Sequence, residues 1–263
     1  MFVTKCNGFT VYQFVWQVIN SNTFVVCDKN TCLIVDPIDS EEFYQFLQER
    51  FGLSDKKRTE SKEHAELIDK AEAEVLVLLT HSHYDHISGL NKLRQLLPNL
   101  CVIASKACSE NIQNPKKNLS NIAEALISFQ SKIDNRMGGV NDITANAIVT
   151  KKIILEPFAC GPADKTFENE LQLKWQGHTL QLTEYRGHSK DSVCCIMDGK
   201  YLFSGDTLLP IPAVTRLPGG SPAKFWEEDM PNLEKLAGKI VHVFPGHEMP
   251  GRLEDMLAVN VRP

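Results

Sequence analysis

The stretch from Thr80 to His86 reads THSHYDH and brings His81, His83, Asp85 and His86 into one short window. Imidazole and carboxylate are the donors that hold borderline divalent cations, so this pattern points to a metal cradle. Just before it, Val75 to Leu79 (VLVLL) is an unbroken apolar run of the kind that forms a strand buried on both faces. The cluster therefore sits on a loop carried by a rigid support. With the chain roughly extended, the period of two sends His81, His83 and Asp85 to one side, and a turn after them brings His86 round.

Three later positions extend the set. His188 lies in RGHSKDS after the alternating run LQLTEY, Asp206 in FSGDTL after KYLF, and His247 in FPGHE after IVHV. Each follows a strand-like run. Seven ligand-type residues at strand ends exceed what one four-coordinate ion takes, and fit two divalent ions with one carboxylate free to bridge them. The donor set suits zinc, with iron and manganese as alternatives. Gly187 and Gly246 immediately precede two of the histidines, where backbone must approach closely and turn sharply.

Chemistry follows from the donors. A hydroxide shared by two ions is a ready nucleophile at neutral pH, so no serine or cysteine is required. Asp85 would orient it and accept its remaining proton, while the ions stabilise the oxyanion. A thiolate, with a pKa of ~8.5, leaves unaided, whereas an amine needs a positioned acid, and none stands out. The expected reaction is hydrolysis of a thioester or similarly activated ester.

The order IVDP, THSHYDH, GHS, SGDT, LPGGS and PGHE resembles the metallo-β-lactamase fold superfamily, in particular its glyoxalase II-like hydrolases, over nearly the whole chain. The resemblance implies an α/β (α+β) fold, a four-layer αββα sandwich of two mixed β-sheets flanked by helices. It also implies that His81, His83 and His188 hold one metal, that Asp85, His86 and His247 hold the other, and that Asp206 bridges them. Asp36 becomes a supporting residue rather than a ligand. Related sequences often carry a Gly-Arg pair shortly before LPGG, whereas this chain reads Ala213, Val214, Thr215, Arg216, so no arginine role transfers. Glyoxalase II proteins also add a helical C-terminal domain that binds the thiol carrier. Little chain follows His247, which disfavours glutathione and leaves an acyl-CoA, a carrier-protein thioester or a lactone as substrate, with Arg216, Lys224 and Arg252 as candidate anchors.

Composition agrees with one compact enzyme. The 263 residues are 43% hydrophobic, enough for one large two-sheet core or two small domains; the resemblance implies a single domain over 1–263. A net charge of -5 gives no overall electrostatic footprint for nucleic acid or an anionic membrane. No apolar run approaches a membrane span, and FTVYQFVWQVI alternates instead of forming a signal-peptide core. A cytosolic protein acting on a small acyl substrate is expected. The eight cysteines show no CxxC pairing and are read as structural thiols, with Cys194 and Cys195 as small hydrophobes in SVCCIM.

Phe9 to Ile19, Thr23 to Cys27 and Cys32 to Val35 read as successive strands, with Asn20, Asn22, Asp28 and Asn30 at the turns. Ser40 caps a helix with Phe43, Phe46 and Leu47 on its apolar side, and Ser88 to Leu97 forms another. Ser221 and Pro222 open a helix with Trp226, Met230, Leu233 and Leu236 as its buried stripe and Gly238 as its stop. Chain halves before and after residue 150 each give strands and then a helix.

The connection from His86 to His188 is long for this plan, and its surplus is placed at 106–152 as a helical insertion. Asn121 and Glu124 read as a capping box, and Ile122, Leu126, Phe129 and Ile133 as an apolar stripe. A lid or acyl-binding wall is one reading; extra packing or a contact in a homodimer is the other. His64, His178 and His242 lack ligand spacing and are read as structural or surface residues, and Lys116 and Lys117 as a solvated turn. Rival functions are a lactonase, a persulfide dioxygenase with mononuclear iron, and a metal-bearing regulatory protein. A flavodiiron electron carrier is disfavoured because that group has a glutamate where His83 stands.

Overall fold

The computed structural model describes residues 1–28, 31–53, 75–136 and 155–262. Two mixed sheets form the centre. The first has seven strands in sequential order: β1 Phe2–Lys5, β2 Thr10–Trp16, β3 Ser21–Asp28, β4 Thr31–Val35, β5 Val75–Leu78, β6 Cys101–Ser105 and β7 Lys165–Phe167. Strands β1 to β4 pair antiparallel and β4 to β7 parallel. The second has five, in the order β12-β11-β10-β9-β8: β8 Glu170–Trp175, β9 His178–Glu184, β10 Val193–Met197, β11 Tyr201–Gly205 and β12 His242–Pro245. Only its β11 and β12 run parallel.

Alternation of side chains builds the layers. On β4, Cys32 and Ile34 enter one core while Leu33 and Val35 enter another, which is why this strand reads as a continuous apolar run. Leu33 and Val35 meet Phe24, Val26, Leu180, Leu182, Phe203 and Phe244 between the two sheets. Cys32 and Ile34 face helices α1 (Glu41–Phe51), α3 (Leu90–Leu96) and α5 (Ala123–Arg136) through Phe43, Leu47, Leu90, Leu93 and Ile127. On the far side, Cys194, Leu202 and Val243 of the second sheet meet Phe225, Met230, Leu233, Leu253 and Met256. Helix, sheet, sheet and helix thus stack in four layers around three cores. Each fully buried Phe or Leu contributes roughly 1.5–3 kcal/mol relative to exposure.

Several elements differ from expectation. The strand predicted to reach Ile19 ends at Trp16, because Asn20, with a φ of 57°, closes a turn onto the Trp16 carbonyl. Asn22 lies inside β3, not in a turn, and its buried amide donates to the Pro245 and Glu248 carbonyls. Ser40 stands at the N-cap position of α1 but makes no side-chain cap bond. The helix expected from Ser88 to Leu97 forms as α3, Leu90–Leu96, and is preceded by a separate single turn, α2 (Tyr84–Ile87), that was not expected. Strand β7 lies beyond residue 150 yet joins the first sheet, so the two halves are not symmetrical. Cys27 and Cys32, register partners on β3 and β4, are joined in a disulfide rather than standing as free thiols; the other six cysteines are free. Asn30 and His64 lie outside the described residues.

The 106–152 region opens with α4 (Lys106–Asn111), a 3-10 turn at Ser120–Ile122 and then α5. Asn121 sits within that turn, so the predicted cap is absent. Ala123 and Ile127 supply the buried face of α5, while Ile122 and Phe129 of the predicted stripe are 37% and 64% exposed. Residues 137–154 of this segment lie outside the described residues. The helix opened by Ser221, α6, has an α turn at Pro222–Lys224, a π turn at Phe225–Asp229 and an α turn at Met230–Glu234. The Ser221 hydroxyl accepts the Lys224 N–H, as its sequence suggests. Phe225 and Met230, five residues apart, face inward together because of the π turn, which leaves Trp226 and Leu236 only half-buried. A last helix, α7, spans Leu253–Val259. No helix among the described residues is long and apolar enough to cross a membrane.

Candidate metal centre

All the predicted ligands meet at one end of the sandwich. His81 and His83 follow β5, His188 follows β9, Asp206 follows β11 and His247 follows β12. Asp85 and His86 come from the single helical turn α2, so the expected extended continuation through Asp85 does not occur. The chain coils from Tyr84 because the His86 N–H closes onto the His83 carbonyl and the Tyr84 N–H onto the Asn118 carbonyl. Two neighbouring residues thereby reach the same centre from successive positions of one turn.

The two sheets nearly touch here. The Val193 N–H donates to the Thr80 carbonyl at 2.7 Å, and the Asn22 N–H to the Gly246 carbonyl at 2.7 Å. Such closeness leaves no room for side chains. A Cβ on Gly246 would lie 2.2 Å from Asp206 Oδ1 and 2.8 Å from His86 Cε1. One on Gly205 would lie 2.4 Å from Thr80 Oγ1.

The donor atoms form two triplets. His83 Nδ1 is 3.1 Å from both His81 Nε2 and His188 Nε2. In the second, Asp85 Oδ2 is 3.2 Å from His247 Nε2 and 3.5 Å from His86 Nε2. Asp206 lies between them, with Oδ1 3.3 Å from His86 Nε2 and Oδ2 3.4 Å and 3.7 Å from the Nε2 atoms of His247 and His188. Each triplet is compact enough for one ion, as is a third grouping of Asp36, His81 and His86. Asp36 is better occupied elsewhere.

For His81, His86 and His188, hydrogen bonds to the far ring nitrogen leave the near one to face the centre. His86 Nδ1 donates to Asp36 Oδ2 at 3.1 Å, and His188 Nδ1 to the Val214 carbonyl at 2.6 Å. Thr80 gives its amide to Asp36 Oδ1 at 2.7 Å and its hydroxyl to Asp36 Oδ2 at 2.6 Å. With that proton committed, Thr80 Oγ1 accepts from His81 Nδ1 at 3.0 Å. Asp36 therefore sets the tautomer of a histidine in each triplet, directly for His86 and through Thr80 for His81. The atoms left over are informative. His86 Nε2 and Asp206 Oδ1 are buried without a hydrogen-bond partner, an arrangement that a cation would satisfy.

Electrostatics separate the triplets. Burial, reinforced by neighbouring imidazoles, pushes His83 down to about 4 and His81 well below the usual histidine range, so both rings are neutral donors. Burial also opposes charge on His247 and His86, but the carboxylates of Asp206 and Asp85 outweigh it, raising His247 to about 10 and His86 well above its usual value. Burial pushes against the ionised forms of Asp85 and Asp206 as well, and their histidine neighbours overcome it to hold both below the usual carboxylate range. Without a cation, protons balance the two carboxylates. A divalent ion would displace them.

The weaker sequence candidates stay apart from this centre. His178 pairs with Asp198 at 2.6 Å, and His242 is half-buried on β12. Arg252 pairs with Glu254, and Arg216 is exposed. Sequence reasoning missed the Thr80 relay, whose hydroxyl is visible as the first residue of THSHYDH. It also missed the carboxylate of Asp229, which carries no motif.

Known proteins are similar to this chain in sequence or fold. The chain is 24% identical over 225 residues to a hydroxyacylglutathione hydrolase of Photobacterium profundum, covering 86% of this chain and 56% of the relative, so it spans little more than half that relative's length. In fold it is similar to BLEG-1 B3 metallo-beta-lactamase, with a TM-score of 0.62, 22% identity and coverage of 95% of this chain and 97% of that one. It is also similar to TTHA1623 in a di-iron-bound form, with a TM-score of 0.58, 20% identity and coverage of 95% and 98%. ETHE1 from Myxococcus xanthus aligns with a TM-score of 0.54, 18% identity and coverage of 92% and 77%. A family model described as the metallo-beta-lactamase superfamily matches residues 16–247, and with its paired histidine and aspartate clusters this chain belongs to that superfamily.

Proposed function

We propose that the protein is a binuclear metal-dependent hydrolase of thioesters or similarly activated esters. His81, His83 and His188 would hold one divalent ion and Asp85, His86 and His247 the other, with Asp206 as a carboxylate shared between them. The observation that carries this reading is the pair of buried atoms His86 Nε2 and Asp206 Oδ1, which make no hydrogen bond and lie 3.3 Å apart beside triplets in which His81, His86 and His188 already bond through their outer ring nitrogens. Bound there, divalent cations would lower the pKa of water to about 7 and polarise the acyl oxygen of a substrate.

The chain's own groups do the rest. Asp85, held ionised, would accept a proton from the attacking water as the new C–O bond forms and the bond to the leaving group breaks. Burial and the carboxylates of Asp85 and Asp206 push the phenol of Tyr84 up, which makes it a weaker proton donor. A leaving group that departs as its own anion suits such a site, which favours a thiolate over an amine. The single-domain reading over 1–263, with the segment at 106–152 as an insertion, belongs to the same proposal.

The metal is proposed to be zinc. Imidazole and carboxylate also suit iron and manganese, and the similar TTHA1623 is named for its di-iron-bound form. Elemental analysis of the purified protein, run beside a panel of thioesters, lactones and a β-lactam, tests cofactor and reaction together. Thioester turnover that scales with metal content supports the proposal. Full metal loading with no thioester hydrolysed across acyl-CoA and simple thiol carriers refutes it.

A further inference from the structure

The loop that presents His188 is gripped from outside the ligand cluster by a single buried carboxylate. Asp229, 3% exposed, accepts the Gly187 N–H at 2.7 Å through Oδ2. Gly187 has no space to spare: a Cβ there would lie 2.5 Å from Asp229 Oδ2 and 2.6 Å from both Cα and Cβ of Phe225. Ser221, the cap of α6, donates its N–H back to the Gly187 carbonyl at 2.7 Å. Both polar groups of the residue before the ligand are therefore tied to the start and the middle of one helix.

That helix departs from regular geometry at this spot. The Met230 N–H bonds to the Phe225 carbonyl, so Phe225–Asp229 forms a π turn. Phe225, Asp229, Met230 and Leu233 are all buried, and the wider turn lets a carboxylate enter an otherwise apolar face beside Met230. π turns are rare and concentrate at functional positions. A buried carboxylate is costly unless its partners matter, and burial pushes this one up to about 6 although the amides of Gly187 and Arg186 pull it down.

We infer that Asp229 is a positioning residue for His188: by fixing the Gly187 peptide it sets where His188 Nε2 points, and so controls the affinity of the three-histidine triplet without touching an ion. The triplet of Asp85, His86 and His247 draws on other loops and is not under its control. The inference rests on the ligand assignment proposed above but not on the reaction, because it is read by metal binding.

The test measures Zn²⁺ affinity by competition with a fluorescent chelator in two full-length backgrounds. His247→Ala leaves the three-histidine triplet intact, and His188→Ala leaves the other. Adding Asp229→Ala should weaken Zn²⁺ binding about 10- to 100-fold in the first background, the range seen when outer partners of ligands are lost, and by less than about twofold in the second. Asp229→Asn keeps an acceptor for the Gly187 N–H and should restore most of the loss. Where Asp229→Ala does not fold, Asp229→Ser, whose short side chain cannot span the gap, takes its place. Equal weakening in both backgrounds, no weakening in either, or an Asn variant as poor as the Ala variant overturns the inference. Selective weakening in a protein that hydrolyses no thioester would uphold it while removing the proposed reaction.

Discussion

Replacing Asp36 by asparagine changes one atom's chemistry and almost nothing of its shape. The residue has a φ of 54°, a conformation asparagine also tolerates, so the backbone imposes no penalty. Its Oδ1 still accepts the Thr80 N–H. In place of Oδ2, however, an NH₂ group faces Thr80 Oγ1 and His86 Nδ1, which stand at 2.6 Å and 3.1 Å from that oxygen. A donor there makes His86 Nδ1 an acceptor and moves its proton to Nε2, the atom aimed at Asp206. The Thr80 hydroxyl, no longer able to give its proton to Asp36, turns it towards His81 Nδ1 at 3.0 Å and reverses that ring too. One substitution thus removes a lone pair from each triplet. Loss of such outer partners costs about 10- to 100-fold in metal affinity, or about 1.4–2.7 kcal/mol per ion. Stepwise Zn²⁺ titration against a chelator reads both ions. If Asp36→Asn binds both ions within twofold of the parent, the tautomer argument is wrong.

Other perturbations probe different parts of the centre. Gly246→Ala places a methyl 2.2 Å from Asp206 Oδ1 and 2.8 Å from His86 Cε1. Elemental analysis should find it metal-poor, and thermal unfolding should find it destabilised by about 1–3 kcal/mol. Asp85→Asn should fold normally but lose roughly 10²- to 10⁴-fold in turnover, the usual worth of a general base; steady-state assays at matched metal content check it. The metal-free protein should lose stability as pH rises. His247 is raised from 6.5 to about 10, so its contribution is whole below pH 6.5 and is lost on the way to pH 10. The depressed carboxylate of Asp206 acts oppositely, contributing above its ordinary value and losing that contribution only in strong acid. Chemical denaturation of chelated protein at several pH values measures both slopes. Added Zn²⁺ should reverse the alkaline loss, since ion binding displaces protons.

The ligands were legible because each stands where an apolar run ends. A strand buried on both faces announces itself by unbroken hydrophobicity, as at Val75 to Leu79, and the residues after such a strand must emerge at a sheet end. Gly187 and Gly246 were legible for a related reason, since close approach excludes a Cβ. Local rules failed where a tertiary partner decided the outcome. The coil at Tyr84 depends on the Asn118 carbonyl, far along the chain, so the extended reading of THSHYDH overran by a turn. The π turn in α6 moved the buried stripe from Trp226 to Phe225 and brought the carboxylate of Asp229 onto the same face. Strand β1 was missed as a short, exposed edge with little alternation. The pairing of Cys27 with Cys32 depends on the register of β3 against β4, which spacing alone does not reveal. On α5, helical period was read correctly and Leu126 of the expected stripe packs on the core, but the face is centred on Ala123 and Ile127, which leaves Phe129 outside.

The central claim is that the seven groups hold two divalent ions around Asp206. Anomalous diffraction from a zinc-loaded crystal, measured on both sides of the zinc edge, tests it most directly. Two peaks are predicted, one within bonding distance of His81, His83 and His188 and one of Asp85, His86 and His247, each also touching an oxygen of Asp206. A fully loaded crystal with no peak in this centre, or with zinc held only by residues outside the seven, would contradict it.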